Sequence, residues 1–267
     1  MKKLIVFLFL ATGALQGFSQ DSARTRSTKL DRKAEKKQRI NAIIKQEEEG
    51  NLSFRTQNAF GVELRTNGYG FFYELGKRRT ARFTNLYSIE ITEIKHRKED
   101  KVGGAENFFG NSFVFGKQNN FYQAKLGFGQ QYILGQKGNK NGVAVTANVS
   151  GGLSLGLLKP YYLIVENTFG EEETISYYDD ATLFLSPTNI IGGGGFTKGW
   201  NELKVKPGIF TRGSLRFDFG RYNERVQALE IGMSAEFYAQ KIPIMAFNEP
   251  KRLFYQGHVA FVFGSRK

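Results

Sequence analysis

From Leu52 onward, apolar and polar residues alternate with a period of two, and only polar turns and loops interrupt the alternation. That period predicts strands with one apolar and one polar face. Phe60, Val62 and Leu64 oppose Gly61, Glu63 and Arg65; after "TNGYG", with its Asn-Gly turn, Phe71, Tyr73 and Leu75 oppose Phe72, Glu74 and Gly76. A third strand is "NLYSIEITEIK", a fourth "FYQAKLGFGQQYIL" and a fifth "VAVTANVSGGLSLGLL", whose Leu157 and Leu158 break the pattern. The sixth and seventh form the hairpin "SLRFDFGRYNERVQALEIGMSAEFY", Ser214 to Tyr238, and the eighth is "FYQGHVAFVF".

The connections sort by parity. "GKRRTAR", "GQKGNKNG" and "GRYNE" are short turns after strands two, four and six, whereas the connections after strands three, five and seven are longer. The longest runs from about Lys159 to Lys206. Short turns on one side and long loops on the other are the pattern of an up-and-down membrane barrel. The first hairpin is the exception, since "TNGYG" is short although it falls in the long set.

The alternation alone does not say which face is the interior. In a soluble sandwich the apolar face is the core; in a membrane barrel it meets lipid and the polar face lines the lumen. The polar face carries Glu63, Arg65, Glu74, Glu90, Lys125, Arg212, Arg216, Asp218, Glu230, Glu236 and His258, with both signs mixed. An eight-stranded barrel has an interior that side chains can fill, and charges buried there must be paired. These residues are therefore expected to form a network that packs and seals the lumen. Ten strands result if the long loop adds a hairpin within the membrane.

The chain's start points the same way. "MKKLIVFLFLATGALQGFSQ" reads as a secretory signal peptide, residues 1–19, cut after Ser19, because its apolar run is well short of the ~20 residues of a spanning helix. Residues 20–50 follow, dense in charge, with Leu30, Ala34, Ile40, Ile43 and Ile44 near helical spacing and Gly50 placed to stop a helix. They are expected to form a charged periplasmic helix or arm, a solvated spacer or a docking segment for a periplasmic partner. Residues 51–267 then form the barrel.

Composition adds detail. The 25 phenylalanines, 12 tyrosines and 31 glycines against 5 prolines suit a barrel surface with interfacial aromatic girdles. With no cysteine, a lipid-anchored cysteine, disulfides and thiol chemistry are excluded. The net charge of +13 favours anionic lipid headgroups or an acidic partner, and an exported chain without a binding motif is not expected to take nucleic acid. The basic turn residues Lys77, Arg78, Arg79 and Arg82 can snorkel to inner-leaflet phosphates.

The last strand resembles the C-terminal signal by which outer-membrane barrels are recognised for assembly, with Phe263 last, Phe261 and Val259 at alternate positions and Tyr255 further back. It departs from the commonest form in that "GSRK" follows the aromatic. With the export signal and eight strands, the chain from about Asn51 to Phe263 resembles small outer-membrane barrels of the OmpA/OmpX type. In style it is most similar to the PorT-like barrels of Bacteroidetes envelopes, whose mature chains tend to begin with Gln after Ser or Ala, as Gln20 does here. That resemblance implies lipids and lipopolysaccharide, the barrel assembly machinery and a protein secretion apparatus as partners, and it assigns no catalytic residue.

Catalytic chemistry has little support in the sequence. Only His96 and His258 are present; His258 belongs to the polar face and reads as structural, and His96 reads as an exposed loop residue. Glu171, Glu172, Glu173, Asp179 and Asp180 lack the spacing of a calcium loop, and the glycines 192–195 before Lys198 lack the phosphate-loop pattern. These glycines read as a hinge, and Trp200 as an interface anchor. Segment 160–178 can form a hairpin whose edge is open to a partner.

The expectation is thus an all-β, eight-stranded, antiparallel transmembrane barrel without cofactor or metal, acting as an envelope scaffold or interaction component. A narrow channel, a lipid-modifying enzyme and a soluble periplasmic β-protein are the alternatives. The hairpin Ser214–Tyr238 decides between barrel and sandwich: Phe217 and Ile231 must face outward if the barrel is right.

Overall fold

The computed structural model describes residues 33–38, 40–41, 54–103, 112–139 and 141–267. The expected signal peptide and most of the expected arm lie outside these residues. Within the arm, residues 33–38 and 40–41 are helical and exposed.

Thirteen strands follow in the described chain: β1 (Thr56–Arg65), β2 (Gly68–Arg78), β3 (Phe83–Ile94), β4 (Lys101–Val102), β5 (Phe113–Val114), β6 (Asn119–Gly135), β7 (Ala144–Pro160), β8 (Tyr162–Glu166), β9 (Glu172–Ser176), β10 (Ile190–Gly193), β11 (Lys204–Asp218), β12 (Arg225–Ile242) and β13 (Lys251–Arg266). Eight of them close into an antiparallel barrel in the order β1-β13-β12-β11-β7-β6-β3-β2. These are the eight strands that the alternation marks out. Closure pairs β1 with β13 from Gln57↔Arg266 to Arg65↔His258, and β13 rises beyond β1 at the long-loop end.

The long loop does not widen the barrel to ten strands. β7 and β11 pair without interruption from Lys204↔Leu158 to Asp218↔Ala144, which leaves no place for an inserted hairpin. Instead β8, β9 and β10 form a separate three-stranded sheet beyond the wall. That sheet has its own core of Phe113, Leu163, Val165, Ile175, Phe184 and Ile190, and a short helix, Ala181–Phe184, is capped by the Asp180 carboxylate.

The outward face is apolar on every wall strand. Ile231 is 48 % exposed and Met233 68 %, with Leu215, Phe261, Phe71, Ile91 and Leu153 similarly bare, while Phe217 is half-buried on the same face. A contiguous exposed surface of this kind has no partner in water and is matched by lipid. Aromatic pairs such as Phe60–Phe263 and Phe83–Tyr132 sit toward the short-turn end, and Tyr69, Tyr122 and Tyr255 stand toward the long-loop end. No described helix is long and apolar enough to cross a membrane.

Two local details differ from the sequence reading. The first hairpin turns on Thr66 and Asn67, the two residues between β1 and β2, and Gly68 begins β2, where a Cβ would lie 1.8 Å from the Glu93 carbonyl oxygen. The last strand does not stop at Phe263 but runs on to Arg266, whose side chain turns into the barrel.

Met233 sits midway along the outward apolar run 229 to 237. Met233→Arg is expected to cost about 2–4 kcal/mol of folding stability in lipid bilayers. Urea unfolding of the wild type and the variant in the same vesicles measures the difference, and equal midpoints would contradict a lipid-facing wall.

Candidate functional site: the filled lumen

Because strand side chains alternate, each wall strand sends every second residue inward, and on β1, β2, β3, β6, β11 and β12 the inward residues at mid-height include charges. Arg212 is the hub. Its Nη1 donates to Glu63 Oε2 at 2.8 Å and to Glu90 Oε2 at 3.0 Å, while Nη2 donates to Glu230 Oε1 at 2.8 Å. Two inward positions further along β11, past Ser214, Arg216 donates through Nε to Glu230 Oε2 at 2.7 Å and through Nη2 to Glu74 Oε2 at 2.6 Å. On the other side of the lumen Arg65 reaches Glu236 at 2.9 Å and lies 3.3 Å from Glu63. Lys125 joins Glu90 at 2.9 Å to Glu236 at 2.7 Å.

Polar neighbours complete the layer. Thr92 and Gln123 accept from Arg65, Ser234 accepts from it at 2.5 Å, and Gln256 donates to Glu236 at 2.6 Å. Phe72 lies under the Arg212 guanidinium, 5.0 Å from ring centroid to Cζ, and Gly61 makes room for that ring, since a Cβ there would be 2.3 Å from it.

A second, smaller cluster closes the short-turn end. Asp218 is bound by Arg266 Nη2 at 2.5 Å and lies 3.6 Å from Lys137 Nζ, which also donates to the Gly220 carbonyl. Arg266 further donates to Gln57, and its guanidinium and that of Arg78 both lie over Phe54. Across both clusters, Arg65, Lys125, Lys137, Arg212, Arg216 and Arg266 face Glu63, Glu74, Glu90, Asp218, Glu230 and Glu236, so cations and carboxylates match in number.

The sequence-marked lumen residues are all buried, and ten of the eleven belong to the Arg212 layer or stand against it. Asp218 goes to the lower cluster, whose other members Lys137 and Arg266 the sequence reading did not single out. Lys137 lies in a turn, where alternation has no meaning. Arg266 falls in "GSRK", yet it keeps the inward parity of His258, Ala260 and Val262, and that parity is the signal that could have found it.

Above the charged layer the lumen becomes apolar. Ile94, Phe121, Leu158, Tyr238, Ile242 and Ile244 pack together as a plug toward the long-loop end, with Phe121 and Tyr238 edge to face at 5.4 Å. Leu158 breaks the alternation of its strand because it points inward into this plug, while Leu157 points outward. Tyr238 links plug and network: its hydroxyl accepts from Gln123 at 2.6 Å and meets Ser154 at 2.8 Å.

No family model and no curated protein sequence matches the chain. Solved structures do align with it. The attachment invasion locus protein Ail of Yersinia pestis is 11 % identical, with 79 % of this chain and 97 % of that chain covered at a TM-score of 0.36. Neisserial surface protein A is 8 % identical over 79 % and 96 %, TM-score 0.38. The N-terminal barrel of Pseudomonas aeruginosa OprF is 8 % identical over 79 % and 98 %, TM-score 0.32. These likenesses are in outline only, and the fold stands on the strand pairing itself.

The histidines and acidic loop residues are placed as follows. His258, 3 % exposed, has Nε2 at 3.6 Å from Glu230 Oε1, longer than a hydrogen bond. Ser214 is its neighbour across Gly232, but no hydrogen bond joins the two. His96 lies in the loop after β3, where its backbone N–H donates to Glu99. Asp179 accepts from Ser176, and no group of three or more metal-ligating side chains forms among the described residues. Outside the wall, Tyr162 donates to Glu202 at 2.6 Å, and this bond pushes its pKa up to about 12. Trp200 stacks on Tyr122 and donates to the Phe196 carbonyl, which ties the long loop to the barrel rim.

Tyr255, Val259, Phe261 and Phe263, which the sequence likens to an assembly signal, form one outward, exposed row on β13.

Removing Arg212 leaves Glu63, Glu90 and Glu230 short of a partner in a desolvated space. Arg212→Ala is expected to lower barrel stability by about 3–5 kcal/mol, as loss of one partner in a buried network does. The shift in the temperature at which the folded band disappears on unheated gels, compared with Arg221→Ala in an exposed turn, measures it; equal shifts would deny the network its structural weight.

Proposed function

We propose that this protein is a non-catalytic outer-membrane barrel, sealed to solutes, that serves as an envelope scaffold or interaction component. The observation that carries this reading is the lumen: a balanced layer of paired charges, capped by an apolar plug, occupies the space through which a solute would pass. The exposed apolar wall supports a membrane setting, and the two long connections, β3 to β6 and β7 to β11, lie together at the end opposite the turns 79–82, 136–143 and 219–224, which supports an orientation with the long loops outside and the arm of residues 20–50 in the periplasm. His258 sits behind the charged layer with no hydrogen-bonded nucleophile, which supports a structural role rather than catalysis.

In this reading the outer sheet β8–β9–β10 and the periplasmic arm are the surfaces offered to other envelope proteins. A place in a secretion apparatus is the finer form of the proposal, and it is carried by the PorT-like resemblance in overall style and in the mature start at Gln20. Lipids, lipopolysaccharide and the assembly machinery are its generic partners.

Purified protein in planar bilayers is expected to leave the current at baseline, whereas discrete openings would favour the narrow channel. Purification from outer membranes in mild detergent, with and without residues 21–49, is expected to lose a co-purifying envelope protein on deletion. A full-length barrel that comes out alone would overturn the scaffold reading.

A further inference from the structure

The short first hairpin leaves a notch in the barrel wall. β13 pairs with β1 only from His258 to Arg266, while it continues beside β12 up to Leu253 and, past a bulge, Lys251. The last bond along the seam is Thr66 N–H to the Gly257 carbonyl at 3.0 Å. Above it, strand alternation turns the backbone groups of Tyr255 and Leu253 toward a gap, and no described strand pairs with that edge. Thr66 and Asn67 form the floor, and residues 94–98 form the opposite side. The resulting cavity of about 520 Å³ reaches inward to Ile94, Ile244 and Phe254, where the apolar plug begins.

Two features of this notch are unlike a simple defect. Its outer lip continues the lipid-facing row of β13, because Leu253 and Tyr255 stand directly above Val259, Phe261 and Phe263 on the same face. Its rim is basic: Lys95, Arg97, Lys98 and Lys251 line it against a single carboxylate, Glu249, which is already paired with Lys241 at 3.3 Å. An apolar slot open to the bilayer under a predominantly cationic rim suits a lipid with a phosphate headgroup.

We propose that the notch is a lateral binding site for a phosphate-bearing lipid of the outer leaflet. Lys95, Lys98 and Lys251 hold the phosphate, and an acyl chain lies past Leu253 and Tyr255 against Ile244 and Phe254. The proposal rests on the outer-membrane reading and names the lipid class that this reading leaves open. It also gives the shortness of the first hairpin a use: a longer β1–β2 hairpin would pair with Leu253 and Tyr255 and close the wall.

The test uses the full chain in dodecyl maltoside, with dioleoyl phosphatidic acid as the probe and native mass spectrometry as the readout. The triple variant K95Q/K98Q/K251Q is expected to bind the probe at least about tenfold more weakly than the wild type. K198Q/K204Q/K206Q, which removes the same charge from outside the notch, is expected to bind it unchanged. Heat-modifiable migration on gels shows that each variant is folded. Equal losses in both triples, no loss in the first, or displacement of the probe by excess inorganic phosphate would overturn the proposal. Flotation of the wild type with phosphatidylcholine vesicles is scored separately, and its failure counts against the membrane reading whatever the probe does.

Discussion

Arg212 and Arg216 hold together what would otherwise be the most costly region of the molecule. Carboxylates from β1, β2, β3 and β12 converge on two guanidinium groups that both come from β11. Inside a barrel of eight strands little water can compensate a charge, so each must find its counter-charge across the lumen. That requirement sets the relative register of strands far apart in sequence. A slip of one residue in any of them would turn its glutamate or arginine out into the apolar belt and leave a partner unpaired.

The same layer explains the division of the interior along its axis. The charged layer lies between two less polar regions, the plug of Ile94, Phe121, Leu158 and Tyr238 toward the long loops and the cluster around Ala59, Phe72, Ala228 and Val262 on the other side. Tyr238 and Gln123 form the transition, since the phenol packs against Phe121 while its hydroxyl reaches the polar layer. At the short-turn end Asp218, Arg266 and Lys137 bind the close of β11, the end of the last strand and a turn to one another. The C-terminal residues are thereby part of the barrel's base.

The wall and the loops answer to different solvents. Along the wall the strands pair side to side, but β13 loses β1 at the notch above Thr66 and β12 loses β11 beyond Gly208↔Tyr238. Beyond the wall the long connection builds its own small core and fastens to the rim through Trp200 and Lys159, whose ammonium lies over the rings of Phe196 and Trp200. The outer sheet is therefore a fixed platform on the barrel.

Much of this was legible in the alternation of residues. Period two located all eight wall strands, and the polar parity of Glu63, Arg212, Arg216 and Glu230 separated the residues that share the lumen from those that face outward. Alternation assigns a face but no partner. That Asp218 binds Arg266 and not the neighbouring Arg216 depends on β12 pairing with both β11 and β13, which brings residues 48 positions apart to 2.5 Å. The apolar plug was hidden for a related reason: Leu158, Ile94 and Phe121 look like lipid-facing residues until the height at which the lumen changes polarity is known. The short "TNGYG" hairpin stood out in the sequence only as an exception to the loop pattern. The three-dimensional wall decided what it does, because a gap exists only when the strands on either side rise above it.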